Sequence, residues 1–211
     1  MSLLLSHPHY GEYARAIEQG HVPEAFPGHV TPDVYQEVSP ELPPVNWKLE
    51  MRSFQIRHGM FAIVDQAWTR DLAKRLTGKR VLEVMAGRGW LAKAMREHGI
   101  DWTATDDHSW WEDTVTEVEK LDAAQAVLRY RDEMDVLAFS WPPLNDPVIE
   151  RVVSEWPRSK PIVYIGEGQY GCTGTPKLHE MLEADRSVFI DMPRYPRLAD
   201  GVHWCRRKEA P

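Results

Sequence analysis

The chain predicts an α/β fold: a doubly wound, mostly parallel sheet with helices on both faces. Strand-length apolar runs alternate with segments of helical period from residue 80 onward. Val81–Trp90 passes from a short apolar run into a loop with Gly87 and Gly89, and then into the helical pattern Leu91, Ala92, Ala94, Met95. Acidic, polar and glycine residues collect where the predicted strands end, at Glu83, Gly87, Gly89, Asp106, Asp122, Ser140, Trp141 and Glu167. In sheets of this kind ligands bind beyond the carboxyl ends of the strands.

Residues 1–45 form an irregular arm, because Pro8, Pro23, Pro27, Pro32, Pro40, Pro43 and Pro44 interrupt any long element. One short helix fits around Glu12–Gln19, and the arm is either a leader, a lid or a surface wrapping. The remaining domain, 46–211, starts with a leading helix over 47–76, whose apolar residues from Met51 to Leu76 recur at steps of three and four until Gly78 stops it. Strand Arg80–Met85 then leads to helix Trp90–His98, closed by Gly99, and strand Trp102–Thr105 ends in Asp106-Asp107. A short apolar stretch at Val115–Leu121 precedes helix Ala123–Tyr130 and strand Asp135–Ser140. Helix Pro147–Trp156, strand Ile162–Ile165, helix Pro176–Ala184, strand Ser187–Ile190 and a last strand Val202–Arg206 complete the pattern.

With 211 residues and 43% hydrophobic content the chain can bury a sizeable core. A net charge of −7 argues against broad binding to nucleic acid, which needs a basic face. Cys172 and Cys205 are too few for a disulfide framework or a zinc site, and His7, His9, His21 and His29 are too irregularly spaced to ligate a metal. The apolar runs are too short to span a bilayer, and the N-terminus lacks the basic flank of a signal peptide. A cytoplasmic protein is the expectation.

The loop after the first strand lets backbone approach a ligand closely, since glycine has no Cβ and a helix N-terminus presents free N–H groups. A phosphate cradle of the G-x-x-x-x-G-K-[S/T] type is absent, and Ala92 stands where a dinucleotide loop has its third glycine. Glu83 would repel a pyrophosphate but favours a cationic ligand such as S-adenosylmethionine, with its sulfonium and ammonium. Asp106, at the end of the next strand, suits two ribose hydroxyls, and Asp122 suits an exocyclic adenine amine. A helix N-cap at Asp122 and a turn role at Asp106 are the structural alternatives.

On these residues, 80–207 resembles the class I S-adenosylmethionine-dependent methyltransferases, a Rossmann-like family. Glu83-Val84-Met85-Ala86-Gly87-Arg88-Gly89 is similar to the family's E/D-x-G-x-G-x-G loop, Asp106 to its ribose-binding acid, and Asp122-Ala123 to its adenine-binding step. The resemblance implies a seven-stranded sheet whose antiparallel last strand pairs in a hairpin with Ser187–Ile190. It also implies S-adenosylmethionine as cofactor, S-adenosylhomocysteine as product, and cofactor contacts at Glu83, Met85, Gly87, Gly89, Asp106, Asp122 and Ser140. The W-P-P at 141–143 with Gly166-Glu167-Gly168 and Gly171-Cys172-Thr173-Gly174 resembles one poorly characterised branch. Met85 departs from the family loop, which has its first glycine there, so its side chain either enters the core or fills part of the pocket.

On the acceptor side, Ser140-Trp141-Pro142-Pro143-Leu144 is out of register with the [D/N/S]-P-P-[Y/F/W] motif of amino-methylating enzymes, so no nucleic-acid adenine activity is carried over. Ser140, Trp141 and Glu167 are the catalytic candidates: a hydroxyl, a stacking face, and a base freed by flanking glycines. A small molecule or a protein is the expected acceptor. The rivals are a non-catalytic cofactor-binding or interaction module and a nicotinamide-dependent oxidoreductase.

Overall fold

The computed structural model describes residues 3–27, 46–169 and 171–209. After a 3-10 turn at Leu3–Ser6, the order is α1 (Gly11–Glu18), α2 (Trp47–Arg57), α3 (Gln66–Leu76), β1 (Arg80–Glu83), α4 (Trp90–Glu97) and β2 (Asp101–Asp106). Then follow β3 (Glu119–Lys120), α5 (Ala123–Tyr130), β4 (Val136–Ser140), α6 (Val148–Glu155), β5 (Ile162–Gly166), α7 (Pro176–Met181), β6 (Leu182–Ala184) and β7 (Gly201–Arg207). One seven-stranded sheet runs β3-β2-β1-β4-β5-β7-β6. The strands from β3 to β5 pair in parallel, whereas β7 is antiparallel to both β5 and β6. The predicted doubly wound sheet with an antiparallel last strand is therefore present.

Because successive strand residues face opposite ways, β4 feeds two cores. Val136 and Ala138 pack with α1–α4 on one face, and Leu137 and Phe139 with α5–α7 on the other. Such double burial explains why β4 and β5 read as continuous apolar runs. Leu4, Tyr10, Tyr13, Ile17 and Phe26 join the first of these cores, so residues 3–27 are packed onto the domain. The prolines from Pro32 to Pro44, and His29, lie outside the described residues.

Two element boundaries differ from expectation. The leading helix is two helices: Gly59 turns the chain at φ +70°, and Asp65 starts α3 by accepting the Trp68 N–H at 3.1 Å. Asp65 also accepts the Phe26 N–H at 2.8 Å, which ties the arm to this break. The interruption sends Met60–Val64 out as a loop beside the sheet edge. At the other end, Ser187–Ile190 is not a strand. Asp185 Oδ1 accepts from the Ser187 N–H at 2.9 Å and from its hydroxyl at 2.6 Å, and this local turn replaces ladder bonds. The partner of β7 at the edge is instead Leu182–Ala184, which the sequence pattern assigned to the end of a helix. Among the described residues no helix is long and apolar enough to cross a membrane.

Candidate functional site

A cleft opens beyond the carboxyl ends of β1, β2 and β4. Its floor is Glu83, Met85, Ala86 and Gly87 from the loop after β1, and Asp106, Asp107, Asp122, Ala123, Ser140 and Trp141 line its sides. The wall facing them is the α2–α3 loop, Gly59–Ala62 with Val64, which the sequence pattern had hidden inside a helix. Trp110, Trp111, Pro143, Asp146 and Val148 complete the lining.

The β1 loop is shaped by left-handed backbone. Met85, Gly87 and Gly89 have φ of +55°, +55° and +82°. At Gly87 an added Cβ would meet no protein atom within 4 Å, so this glycine faces the open cleft. Gly89 behaves differently: it N-caps α4, does not line the cleft, and a Cβ there would lie 2.8 Å from Val118 and 2.9 Å from Thr116. Its glycine requirement is one of packing and not of ligand contact. Met85 holds a conformation that costs an L-residue about 1–2 kcal/mol. Its side chain resolves the open alternative in both directions, packing partly against the α5–α7 core and also lining the cleft.

Asp106 organises this loop. Its Oδ2 accepts the Gly87 N–H at 2.8 Å and its Oδ1 the His108 N–H at 2.8 Å. Asp107 accepts the Ser109 N–H at 2.8 Å, and bonds from the Ser109 hydroxyl and N–H hold its carboxyl below the usual range. Asp122 is the N-cap of α5, its Oδ1 accepting from Ala124 and Gln125 at 3.0 and 3.1 Å. The capping alternative thus holds for Asp122, and the residue still borders the cleft.

Glu83 is buried and accepts the Trp102 indole N–H at 2.7 Å. Burial pushes its carboxyl up to about 8, against that hydrogen bond and the charge of Arg96. Glu83 is accordingly protonated at neutral pH, which corrects the expectation of a standing negative charge beneath the loop.

Glu167 departs furthest from expectation. It does not line the cleft, and its carboxylate is turned into its own loop, where Oε2 accepts the Cys172 N–H at 2.7 Å and Oε1 the Ala199 N–H at 2.9 Å. Burial raises its pKa, but bonds from Cys172 and Ala199 and the charge of Arg52 outweigh it, leaving the group below its ordinary value. A carboxylate held in this way is a structural clamp and a poor general base. Cys172 is exposed, and partial desolvation together with Glu167 pushes its thiol up to about 11, so it is not an activated nucleophile.

Trp141 and Ser140 do reach the cleft. Trp141 has φ +51°, and its indole N–H donates to buried Asp200 at 2.8 Å. The Arg52 guanidinium lies 4.7 Å from the indole centroid. Burial pushes Asp200 up to about 6 despite the Trp141 bond and Arg52. Arg52 and Asp200 carried no sequence signal, being far apart in the chain and outside any motif. Another unanticipated feature is Trp111, which lines the cleft with a buried Nε1 that has no partner among the described residues.

Among the described residues, the cleft lining includes four aspartates, Asp106, Asp107, Asp122 and Asp146, besides neutral Glu83, and no Lys, Arg or His. Arg88, from the glycine loop itself, turns away to the His58 carbonyl at 3.2 Å and to the Asp113 carboxylate. This composition disfavours a phosphate or pyrophosphate and suits a neutral or cationic ligand.

No family model and no curated protein matches the chain. Among solved structures, mitomycin 7-O-methyltransferase aligns at TM-score 0.47 and 10% identity, over 97% of this chain and 70% of that one. The Burkholderia thailandensis 1,6-didemethyltoxoflavin-N1-methyltransferase, solved with S-adenosylhomocysteine, aligns at TM-score 0.44 and 16% identity, over 82% and 99%. A SAM-dependent methyltransferase from Archaeoglobus fulgidus aligns at TM-score 0.38 and 18% identity, over 60% and 61%.

Proposed function

We propose that this chain is a methyltransferase that binds S-adenosylmethionine in the cleft and transfers its methyl group to a small-molecule acceptor. The observation that carries this reading is the acid-lined, base-free cleft at the carboxyl ends of a sheet with this strand order. A nicotinamide dinucleotide would bring a pyrophosphate to the Gly87 turn with no cationic side chain to meet it. S-adenosylmethionine brings no phosphate. When bound, it supplies an electrophilic methyl on a sulfonium centre.

In this reading Gly87 gives the cofactor room, and the unused lone pairs of Asp106 accept from ribose hydroxyls. The second carboxyl oxygen of Asp122 accepts from the adenine amine, and the unpartnered Trp111 N–H is free for an acceptor atom of the ligand. Met85, Gly87 and Ser140 border the reacting region, whereas Gly89 supports the loop from behind. Neutral Glu83 and backbone-bound Glu167 leave no raised-pKa base free at the cleft. Alignment and exclusion of water are therefore the main sources of rate, and the acceptor reacts through an available lone pair.

Calorimetry on the whole chain with S-adenosylhomocysteine and with NAD tests the reading. Binding of the first with no binding of the second is expected. Tighter binding of NAD, or binding of neither, overturns it.

A further inference from the structure

Phe61, Trp110 and Trp141 come from three separate segments and meet at the cleft mouth. Phe61 lies 6.0 Å from Trp110, tilted by 58°, and 6.2 Å from Trp141, near-parallel at 25°. Trp110 is 64% exposed, a large apolar area at the rim of a cavity and not in a core. Trp141, by contrast, is fixed: Asp200 holds its indole N–H, and Arg52 sits against its ring. Asp107 and Asp146 line the same cleft. Asp146 accepts the Val148 N–H at 2.9 Å through Oδ1, so only one of its oxygens is used by this bond. Trp111 also lines the cleft, and its buried Nε1 has no hydrogen-bond partner among the described residues.

From this arrangement we infer that the acceptor is a planar nitrogen heteroaromatic small molecule, neutral or cationic, held against the Phe61–Trp110–Trp141 wall. The inference rests on the methyltransferase reading for its chemistry, and on the wall alone for its binding. Aromatic faces attract flat rings and cations, and the neighbouring carboxyls add to the pull on a cation while repelling an anion. The chemistry agrees with the absence of a base. A ring nitrogen of the pyridine type attacks with its lone pair, and the new N–C bond forms as the S–C bond breaks with its electron pair kept by sulfur. The positive charge passes from sulfur to the ring, and no proton has to leave. A charge that moves toward an aromatic wall in a cleft also lined by Asp107 and Asp146 stays within favourable surroundings. The same aspartates disfavour acceptors that carry phosphate or carboxylate, with Arg52, held on the Trp141 ring, the one opposing charge at the wall among the described residues.

The test uses four probes on the full chain, read by tryptophan fluorescence and calorimetry: quinoline, N-methylquinolinium, quinoline-2-carboxylate and N,N-dimethylpiperidinium. Quinoline and N-methylquinolinium should bind at least tenfold more tightly than the carboxylate, and N-methylquinolinium tenfold more tightly than the saturated cation. Trp110→Ala, at an exposed side chain, should weaken both flat probes at least fivefold. Asp146→Asn, which keeps the oxygen bonded to Val148, should weaken N-methylquinolinium about threefold more than quinoline. Equal affinity for the carboxylate, no binding of the flat probes, or wild-type binding by Trp110→Ala overturns the inference. S-adenosylhomocysteine affinity is measured separately. If it binds while the flat probes do not, only the acceptor class fails. If the probes bind as expected and it does not, the wall stands and the methyltransferase reading falls.

Discussion

The loops after β1 and β5 both place an acid and glycines at a strand end, yet the first stays open and the second closes on itself. After β1, Gly87 has empty space where a Cβ would be, and its N–H is held by a carboxylate from the next strand, Asp106. After β5, Glu167 curls back to accept the Cys172 N–H, and a Cβ on Gly171 would lie only 2.1 Å from the Glu167 Cβ. Gly166 is equally crowded, its missing Cβ 2.9 Å from the Thr173 hydroxyl. Glycine near an acid is therefore ambiguous in sequence. In one case it leaves room for a ligand, and in the other it leaves room for the acid's own loop.

The sharpest way to break this contrast is Glu167→Ala. It should leave the Cys172 and Ala199 N–H groups unpaired and lower stability by about 3 kcal/mol in denaturant unfolding, with S-adenosylhomocysteine affinity unchanged. Lost binding with unaltered stability would return Glu167 to the cleft.

Next in size is the pH response of Glu83. Its folded pKa of about 8 exceeds its ordinary 4.5, so between these values the native state binds a proton that the unfolded state does not. Stability from this group is therefore greatest below 4.5 and declines as pH rises toward 8, with a slope approaching about 1.4 kcal/mol per pH unit. Glu83→Gln, whose amide oxygen still accepts from Trp102, should flatten that slope and be more stable than wild type at pH 8. An unchanged slope in urea unfolding across this window would mean that Glu83 is ionised in the folded protein.

Asp106→Ala should weaken S-adenosylhomocysteine at least tenfold, about 1.4 kcal/mol or more. It removes both a hydroxyl acceptor and the bond that sets the Gly87 turn. Wild-type affinity in calorimetry would shift the assignment to Asp107.

The smallest expected effect is at Met85. Substitution by glycine sheds the strain of φ +55° but loses a partly buried thioether and adds chain entropy. These offset, so Met85→Gly should change stability by less than about 1 kcal/mol, while Met85→Val should destabilise by more, since a β-branched residue suits that φ worst. A loss of several kcal/mol on Met85→Gly would show that core packing dominates at this position.

Much of the fold was written in local pattern. Strand-length apolar runs between helical segments located β1, β2, β4, β5 and β7, because a sheet covered on both faces must be apolar along its length. The break at Gly59 was less visible, since Met60, Ile63 and Val64 preserve helical spacing while lying in a loop. A left-handed glycine and the Asp65 cap were the available signals. Edge strand β6 was illegible for a different reason: three residues pair there because β7 offers them a ladder, not because their own sequence favours extension. Of the residues singled out in the sequence, Glu83, Met85, Gly87, Asp106, Asp122, Ser140 and Trp141 border the cleft, whereas Gly89 and Glu167 do not.

The sequence by itself determined the alternation of elements, the edge of the sheet where polar groups gather, and the absence of a phosphate-binding lysine in the glycine loop. These depend on spacing along one chain and on residue type. Only the tertiary structure decided that Glu83 is neutral, that Glu167 is turned into its own loop, that Arg88 leaves the cleft, and that Phe61, Trp110 and Trp141 share one wall. Each of these depends on burial or on partners distant in the chain. Desolvation and hydrogen-bond geometry set what an acid or an aromatic ring does, and neither is a property of its neighbours in sequence.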